Sequence, residues 1–337
     1  MQLNYKSIAL PFEYPFTISN GRTKTHQPSL VVSLSLGNFT GFGEAPAIVY
    51  YDVTVEKMIE DLESKRAMVE KFALTEPARY WHYLHHLFPQ NPFLVSALDM
   101  ACWDLYGKMK GQPLYTLWKT NWENTPVTDY TIGIDTIPKM LEKMNAKPWP
   151  VYKIKLGTPE DIEIMEALTT ATKAVFRVDA NAGWTTEEAL LKIPILAKMG
   201  VEFIEQPLAK DNWEGMKILF EKSELPLYAD ESCVMESDVQ KCAGHFHGIN
   251  IKLTKCSGPT PALRMIETAR GLGLKVMMGS MNESTIGSAA IAHFLPQLDH
   301  VDMDGPLLLS EDIASGITFD NGVVTLSNKP GLGITLL

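Results

Sequence analysis

Charged side chains close a series of short apolar runs in the second half of the chain. The series is Lys155, Asp179, Glu205, Asp230 and Lys252, and its members follow one another by 24, 26, 25 and 22 residues. A step of this size fits one strand and one helix, so these residues would stand at the same end of successive parallel strands. Barrel enzymes build their active sites at that end.

Three consecutive members of the series are carboxylates, and they would repel one another if no cation lay between them. A hard divalent cation resolves that repulsion. Oxygen ligands without histidine or cysteine favour Mg²⁺, with Mn²⁺ as a substitute, over zinc. The competing interpretation gives each carboxylate its own basic partner. One carboxylate on each of three successive strands makes a metal site formed by Asp179, Glu205 and Asp230 the stronger hypothesis.

Lysines flank the three carboxylates in strand order. Residues i and i+2 of a strand share a face, so Lys153 points the same way as Lys155, whereas Lys252 lies four strands further on. In a closed barrel that separation puts the two positions on opposite sides of the mouth. A base on one face of a substrate and an acid on the other is the arrangement that a racemase needs. The ammonium of Lys153 and a nearby metal would disfavour the charged form of Lys155, which lowers its pKa towards that of a base.

The elements that must position these residues are eight apolar runs separated by amphipathic helices. Such alternation indicates a parallel sheet, and eight units favour a closed β/α barrel over an open sheet. The runs span residues 130–134, 151–156, 175–180, 201–206, 225–230, 248–253, 274–279 and 300–304.

The first 125 residues have a different pattern, of α+β character. Residues 30–36 and the turn that follows them predict a hairpin. Residues 52–74 and 93–110 carry apolar side chains at helical spacing. We therefore expect an α+β domain at 1–125 that is separate from the barrel.

The barrel is expected to occupy residues 126–309 as the catalytic domain. Residues 310–337 do not continue the strand–helix alternation, and they contain a hairpin around Asn321-Gly322. We expect this tail to return to the N-terminal domain.

Composition limits the partners of the chain. Its 337 residues include 40 acidic and 30 basic ones, which gives a net charge of −10. This balance argues against nucleic acid and anionic membranes as partners, because both require a basic patch. The four cysteines lack Cys-x-x-Cys spacing, and neither a secretion signal nor an apolar run of membrane-spanning length is present. We expect a cytoplasmic protein that acts on a small molecule, and the sequence leaves a homo-oligomer open.

The ordered motifs resemble those of the enolase superfamily, in the subgroup related to muconate lactonising enzymes. They are Lys153-Ile154-Lys155, VDANAGW at 178–184, EQP at 205–207, ADES at 229–232 and NIKLTK at 250–255. The run ALDMACWDLYGKMKGQPL at 97–114 also looks like the N-terminal domain of that subgroup, so the resemblance covers nearly the whole chain. It implies a modified (β/α)7β TIM-like barrel with an α+β N-terminal capping domain.

The resemblance also implies roles for the charged residues. Mg²⁺ would be held by Asp179, Glu205 and Asp230. The family's reaction starts with removal of a proton next to a carboxylate, which gives an enediolate that the metal stabilises. By motif position, Lys155 and Lys252 are the two acid/base lysines and Lys153 tunes Lys155.

The resemblance narrows the substrate through Asp302-x-Asp304, which is similar to a motif that holds the substrate's α-ammonium in dipeptide epimerases. Two carboxylates on one face complement such a cation. Gly279, Ser280 and Met281 lie in a segment that lines the substrate site in these enzymes, and glycine lets the backbone approach closely.

The second residue of the dipeptide would be met by the segment TISNGRTKTHQ at 17–27. Arg22 lies near the position where alanine–glutamate epimerases carry an arginine, and Lys24 is a competitor. Either cation, if it points inward, favours an acidic second residue. The alternative is a cation that faces solvent. We expect an epimerase acting on L-Ala-D/L-Glu or a close relative.

Rival hypotheses keep the site and change the substrate: an N-acylamino acid racemase, an o-succinylbenzoate synthase or a muconate cycloisomerase. None of these needs to bind a free ammonium. A catalytically silent binding protein would not need lysines on both faces of the metal. A metal-dependent hydrolase is disfavoured because the strand ends carry no histidine ligands.

Overall fold

An antiparallel three-stranded sheet opens the chain, in a computed structural model that describes residues 1–17 and 23–337. The strands are β1 (Gln2–Thr17), β2 (Thr23–Leu36) and β3 (Phe39–Pro46), in the order β1-β2-β3. The predicted hairpin at 30–36 is confirmed. Strand β1 was not predicted, because two prolines interrupt its alternation. The register of β1 on β2 shifts between Pro11 and Phe16, as an edge strand can tolerate.

Four helices follow the sheet: α1 (Val55–Lys71), α2 (Pro77–Leu87), α3 (Pro92–Lys110) and α4 (Leu114–Leu117). Helices α1 and α3 match the two predictions, and α2 was missed. Helix α3 lies directly on β3, because a Cβ at Gly43 would come within 2.0 Å of the Ala97 carbonyl oxygen. Among the described residues, no helix has the length and apolar character needed to cross a membrane.

The second half of the chain is a parallel barrel of eight strands. Their sequential order is β4-β5-β6-β7-β8-β9-β10-β11, and an isolated bridge between Thr128 and Val301 joins the first and last strands. Each of the eight predicted runs contains one strand, so the barrel fold is confirmed. The strands are β4 (Tyr130–Ile132), β5 (Val151–Lys155), β6 (Val175–Asp179), β7 (Val201–Glu205), β8 (Leu227–Ala229), β9 (Gly248–Ile251), β10 (Lys275–Gly279) and β11 (His300–Asp302).

Helices separate the barrel strands along the chain. Helix α7 begins with a capping box, in which Thr185 and Glu188 bind each other's backbone N–H groups. The helices are α5 (Ile137–Ala146), α6 (Asp161–Ala171), α7 (Thr186–Lys198), α8 (Trp213–Lys222), α9 (Glu236–Cys242), α10 (Leu253–Cys256), α11 (Pro259–Gly271), α12 (Thr285–Ala292) and α13 (Gly305–Leu308).

The C-terminal tail contacts both halves of the chain. It contains β12 (Ala314–Ser315), the predicted hairpin of β13 (Ile317–Asp320) and β14 (Val323–Leu326), and β15 (Thr335–Leu336). The carbonyl of Gly322 accepts the Thr128 N–H at the start of the barrel. The carboxylate of Asp104 in α3 accepts the Leu332 N–H. The division of the chain at residues 125 and 309 stays a prediction.

Two buried carboxylates fasten the N-terminal half to the barrel. Asp99 in α3 accepts the backbone N–H and the hydroxyl of Thr260, each at 2.8 Å, at the start of α11. Glu44 in β3 accepts N–H groups of Ser284 and Gly287 at the start of α12. Both carboxylates therefore cap helix N-termini, where unpaired N–H groups and the helix dipole favour negative charge.

The end of α12 is fixed by a buried histidine. His293 is fully enclosed, and its ring stacks on Tyr115 at a centroid distance of 5.8 Å. Its Nδ1 accepts the Tyr115 N–H at 3.4 Å. Burial lowers the pKa of His293 to about 4, so the folded chain keeps this ring neutral in mild acid.

We predict that His293→Gln reduces the loss of stability between pH 7 and pH 5. In that range the histidine of the unfolded chain binds a proton that buried His293 does not. As the pH is lowered from 7 to 5, the free energy of unfolding therefore decreases by about 2 kcal/mol because of this group. Urea unfolding at both pH values measures the difference. The exposed His82→Gln is the control, and a His293→Gln protein with the wild-type pH dependence would contradict the prediction.

Candidate active site

The parallel register of the barrel brings the charged strand ends to one rim. Lys155 pairs with Asp179 across β5 and β6, and Asp179 pairs with Glu205 across β6 and β7. Asp230 and Lys252 come directly after β8 and β9. The even spacing seen in the sequence is therefore the spacing of strand ends around the barrel mouth.

Three carboxylates form the centre of this rim. Asp179, Glu205 and Asp230 are buried, and one oxygen of each lies within 4.8 Å of one oxygen of the others. A set of three anionic oxygen ligands around a small space suits a hard divalent cation. The residues present therefore fit a metal of the Mg²⁺ type.

Lysine ammonium groups surround the three carboxylates. The Nζ of Lys153 lies 2.7 Å from Asp302 Oδ2, 2.8 Å from Glu205 Oε2 and 3.2 Å from Asp179 Oδ2. The Nζ of Lys155 lies 2.7 Å from Asp179 Oδ2. Lys153 and Lys155 thus share a face, as the sequence predicted.

Lys252 approaches from the other side of the mouth. Its Nζ lies 2.7 Å from Asp230 Oδ2, and its strand is four positions from β5 in an eight-stranded barrel. The side chains of Lys155 and Lys252 are 11% and 10% exposed, whereas that of Lys153 is 1% exposed. The two lysines on opposite sides therefore retain access to the mouth, and Lys153 is enclosed.

Carboxylates dominate the lysine electrostatics. Burial disfavours the Lys153 ammonium, but Asp302, Glu205 and Asp179 outweigh it and raise the pKa of Lys153. Burial also disfavours the Lys252 ammonium, but the negative charge of Asp230 favours it, and the pKa of Lys252 is raised as well. The neighbouring carboxylates therefore favour the charged form of both Lys153 and Lys252.

The lysines in turn separate the pKa values of the carboxylates. Burial would raise the pKa of Asp179, but Lys155 and Lys153 outweigh it and hold the value at about 2. Burial and the charge of Asp179 raise the pKa of Glu205 to about 7. Glu205 is thus the carboxylate of the triad that gains most from a further cation.

The predicted ammonium-binding pair lies beside this cluster. Asp302 binds Lys153 through Oδ2, and its Oδ1 accepts no hydrogen bond from the described residues. Asp304 Oδ2 accepts the Thr131 N–H at 2.6 Å. Burial and the charge of Asp302 raise the pKa of Asp304 to about 7. The two carboxylates therefore share a region of concentrated negative charge.

The segment predicted to line the substrate site follows β10 at the same rim. Gly279 pairs with Asp302 in the sheet, and the Ser280 N–H donates to the Asp302 carbonyl at 2.8 Å. The Met281 N–H donates to the buried carboxylate of Glu283 at 2.6 Å. These contacts place the segment beside the strand that carries Asp302.

Two cations, Arg22 and Lys24, were predicted to bind the second side chain of the dipeptide. Arg22 lies outside the described residues. Lys24 lies in β2, and its Nζ donates to the side-chain oxygen of Gln27 at 3.3 Å. Gln27 is buried and also donates to backbone carbonyls, so Lys24 is attached to a fixed polar group.

Three further polar residues hold the triad, and the sequence argument gave them no role. Gln206 accepts the Asp230 N–H, Asn250 donates to Glu205 Oε1 at 2.8 Å, and Lys255 binds Asp230. Asn250 could have been found, because it stands two residues before Lys252 and so shares its inward face.

Comparison with known proteins identifies the family. A family model described as "Enolase C-terminal domain-like" matches residues 137–337. The chain belongs to the enolase superfamily. A relative from Flavobacterium johnsoniae, named L-Ala-D/L-amino acid epimerase, is 52% identical over 100% of this chain and 100% of the relative.

Solved structures of the enolase superfamily give the same result. The substrate-liganded complex of the L-Ala-D/L-Glu epimerase from Bacillus subtilis has a TM-score of 0.93 and 29% identity, and the match covers 99% of this chain and 98% of that one. A dipeptide epimerase from Enterococcus faecalis, complexed with Mg and L-Leu-L-Tyr, has a TM-score of 0.90 and 28% identity, with 99% of each chain covered. The expected resemblance to epimerases acting on dipeptides is confirmed.

We predict that Lys153→Met destabilises the protein strongly. It removes the ammonium shared by three buried carboxylates, and breaking one side of such an arrangement costs about 3–5 kcal/mol. Mg²⁺ is expected to restore part of the loss. Unfolding with chelator and with millimolar Mg²⁺ measures both effects. Lys139→Met, at an exposed ion pair, should change stability by at most about 1 kcal/mol. Wild-type stability of Lys153→Met in chelator would contradict the prediction.

Proposed function

We propose that this chain is a Mg²⁺-dependent dipeptide epimerase that inverts the α-carbon of the second residue, with L-Ala-D/L-Glu or a close relative as substrate. The observation that carries the proposal is the pair of accessible lysines, Lys155 and Lys252, on opposite sides of a buried carboxylate triad. The 52% identical epimerase supports the same reaction.

Asp179, Glu205 and Asp230 would hold the metal, and Mn²⁺ has the same ligand preferences as Mg²⁺. Mg²⁺ held there would supply positive charge to neutralise the substrate carboxylate and the enediolate that forms from it. Lys153 adds a fixed ammonium among the same carboxylates, which concentrates positive charge where the enediolate oxygens form.

The two outer lysines divide the proton transfer. One of them, Lys155 or Lys252, would act as a neutral amine that takes up the α-proton from its own face of the substrate, while the other would remain an ammonium. The other returns a proton to the opposite face, so the configuration inverts. Which lysine acts as the base depends on the configuration of the incoming residue. A cation held by the triad would neutralise Asp179 and Asp230, the carboxylates that bind these two lysines.

Asp302 and Asp304 are proposed to bind the α-ammonium of the dipeptide, with Gly279, Ser280 and Met281 beside them. A cavity of about 20 Å³ lies next to Thr131, the partner of Asp304, and is lined by Tyr14, Ile132, Leu308 and five further residues. That volume holds a group the size of a water molecule or a methyl group. Neither Asp302 nor Asp304 lines this cavity, so its size does not define the first residue of the substrate.

The second side chain of the dipeptide is proposed to bind a cation from the N-terminal half of the chain. Arg22 or Lys24 would bind an acidic second residue. The relative's broader name, covering D/L-amino acids, supports tolerance at this position for that relative. We further propose a cytoplasmic enzyme that binds neither nucleic acid nor membranes, with a homo-oligomer left open.

We predict exchange of the α-hydrogen of the second residue when a dipeptide is incubated with enzyme and Mg²⁺ in deuterated water. Proton NMR of each pure epimer measures the exchange. Lys155→Ala should slow exchange from one epimer by about 10²–10⁴-fold, and Lys252→Ala should do so from the other.

The exposed Lys198→Ala serves as the control for this experiment, because it ends α7 away from the rim. A panel of Ala-Xaa dipeptides varies the second side chain of the substrate. Absence of exchange from every member of the panel would contradict the proposed function.

We predict that Asp304→Asn lowers kcat/KM for dipeptides with a free amino terminus by about 10- to 100-fold, through loss of a charge-assisted contact. Asparagine still offers an acceptor to the Thr131 N–H, so the fold is retained. Asp302→Asn should act in the same direction. Steady-state kinetics with free and N-acetylated dipeptides measure the effect. If N-acyl substrates are turned over best and Asp304→Asn hardly changes them, an N-acylamino acid racemase is favoured.

A further inference from the structure

Asn250 holds one oxygen of the central carboxylate of the triad. It lies in β9 and is fully buried, and its Nδ2 donates to Glu205 Oε1 at 2.8 Å. The other oxygen of Glu205 lies 2.8 Å from Lys153 Nζ. Among the described residues, Asn250 Oδ1 accepts no hydrogen bond. The side chain of Asn250 is therefore oriented by its bond to Glu205.

The neighbouring strand leaves space for this amide at one position. In β10, Met277 is opposite Asn250 and Gly279 lies two residues further along. A Cβ at Gly279 would lie 2.7 Å from Asn250 Oδ1 and 2.8 Å from its Nδ2, which is closer than side chains pack. The backbone of Gly279 is not among those with positive φ, so any residue could adopt its conformation. Glycine is therefore needed at position 279 because a side chain has no space there, and not because the backbone adopts a conformation that only glycine favours.

We propose that Asn250 is a positioning residue for Glu205, and that Gly279 is required at its position because a larger residue would push Asn250 away from the metal site. The inference rests on the metal site of the proposed function. It gives Gly279 a role at the metal site in addition to the predicted approach of its backbone to the substrate.

The expected effect follows from the position of the contact. Residues that hydrogen-bond to metal ligands fix ligand orientation, and their loss typically reduces metal affinity 10- to 100-fold. Gly279→Ala should weaken Mg²⁺ binding through displacement of Asn250. In combination with Asn250→Ser, the Cβ that Gly279→Ala adds no longer contacts a side chain that orients Glu205.

A double-mutant cycle tests this coupling. Mg²⁺ affinity is measured by calorimetry, without dipeptide, for the wild type, Gly279→Ala, Asn250→Ser and the double variant. We expect each single variant to bind Mg²⁺ at least about tenfold more weakly, and the double variant to match Asn250→Ser within about twofold. Gly271→Ala is the matched control, because a Cβ there meets nothing within 4 Å, and its affinity should equal that of the wild type.

Additive losses in the double variant would overturn the inference, and so would an unchanged affinity in Gly279→Ala. If Gly279→Ala alone does not fold, the double variant should fold, because Asn250→Ser removes the amide with which the added Cβ collides. Failure of both to fold would also overturn the inference. A wild-type protein that binds no Mg²⁺ contradicts the proposed function instead, so the two failures are distinguishable.

Discussion

Charge balance inside the barrel mouth governs the whole site. Four buried carboxylates and four lysine ammonium groups form two adjoining sets of ion pairs there. They are Asp179, Glu205, Asp230 and Asp302, with Lys153, Lys155, Lys252 and Lys255. No single pair could be buried at low cost, because desolvation opposes each charge. The cluster persists because each group has partners on neighbouring strands. A divalent cation and an anionic substrate would enter this cluster by replacing contacts that already exist.

The barrel explains how such a cluster can form from residues far apart in sequence. Each strand contributes one or two inward side chains at its end, and parallel pairing places those ends at one level. Opposite strands then carry the two accessible lysines, and this separation permits proton transfer at both faces of one carbon atom. The N-terminal half adds rigidity, because Glu44 and Asp99 cap the two helices that follow the Lys252 side of the rim.

Much of this arrangement could be predicted from the sequence, because it follows from spacing. The eight apolar runs predicted the strands of the barrel, and the steps from Lys155 to Lys252 predicted that five charged residues share one rim. Strand β1 was missed because Pro11 and Pro15 break its pattern, and antiparallel pairing with β2 decides its conformation. The raised lysine pKa values were missed because they depend on distances between side chains of different strands. The spacing of Asn250 from Lys252 could have placed it on the inward face, but its hydrogen bond to Glu205 depends on the distance between two strands that are not neighbours in sequence.

The central claim is that Lys155 and Lys252 act on opposite faces of one α-carbon held at the triad. A crystal structure with Mg²⁺ and a dipeptide bound tests it most directly. The account predicts the metal among Asp179, Glu205 and Asp230, with both lysine nitrogens about 3–3.5 Å from the α-carbon of the second residue, on opposite sides. A dipeptide with both lysines on the same side of that carbon, or bound away from the triad, would contradict it.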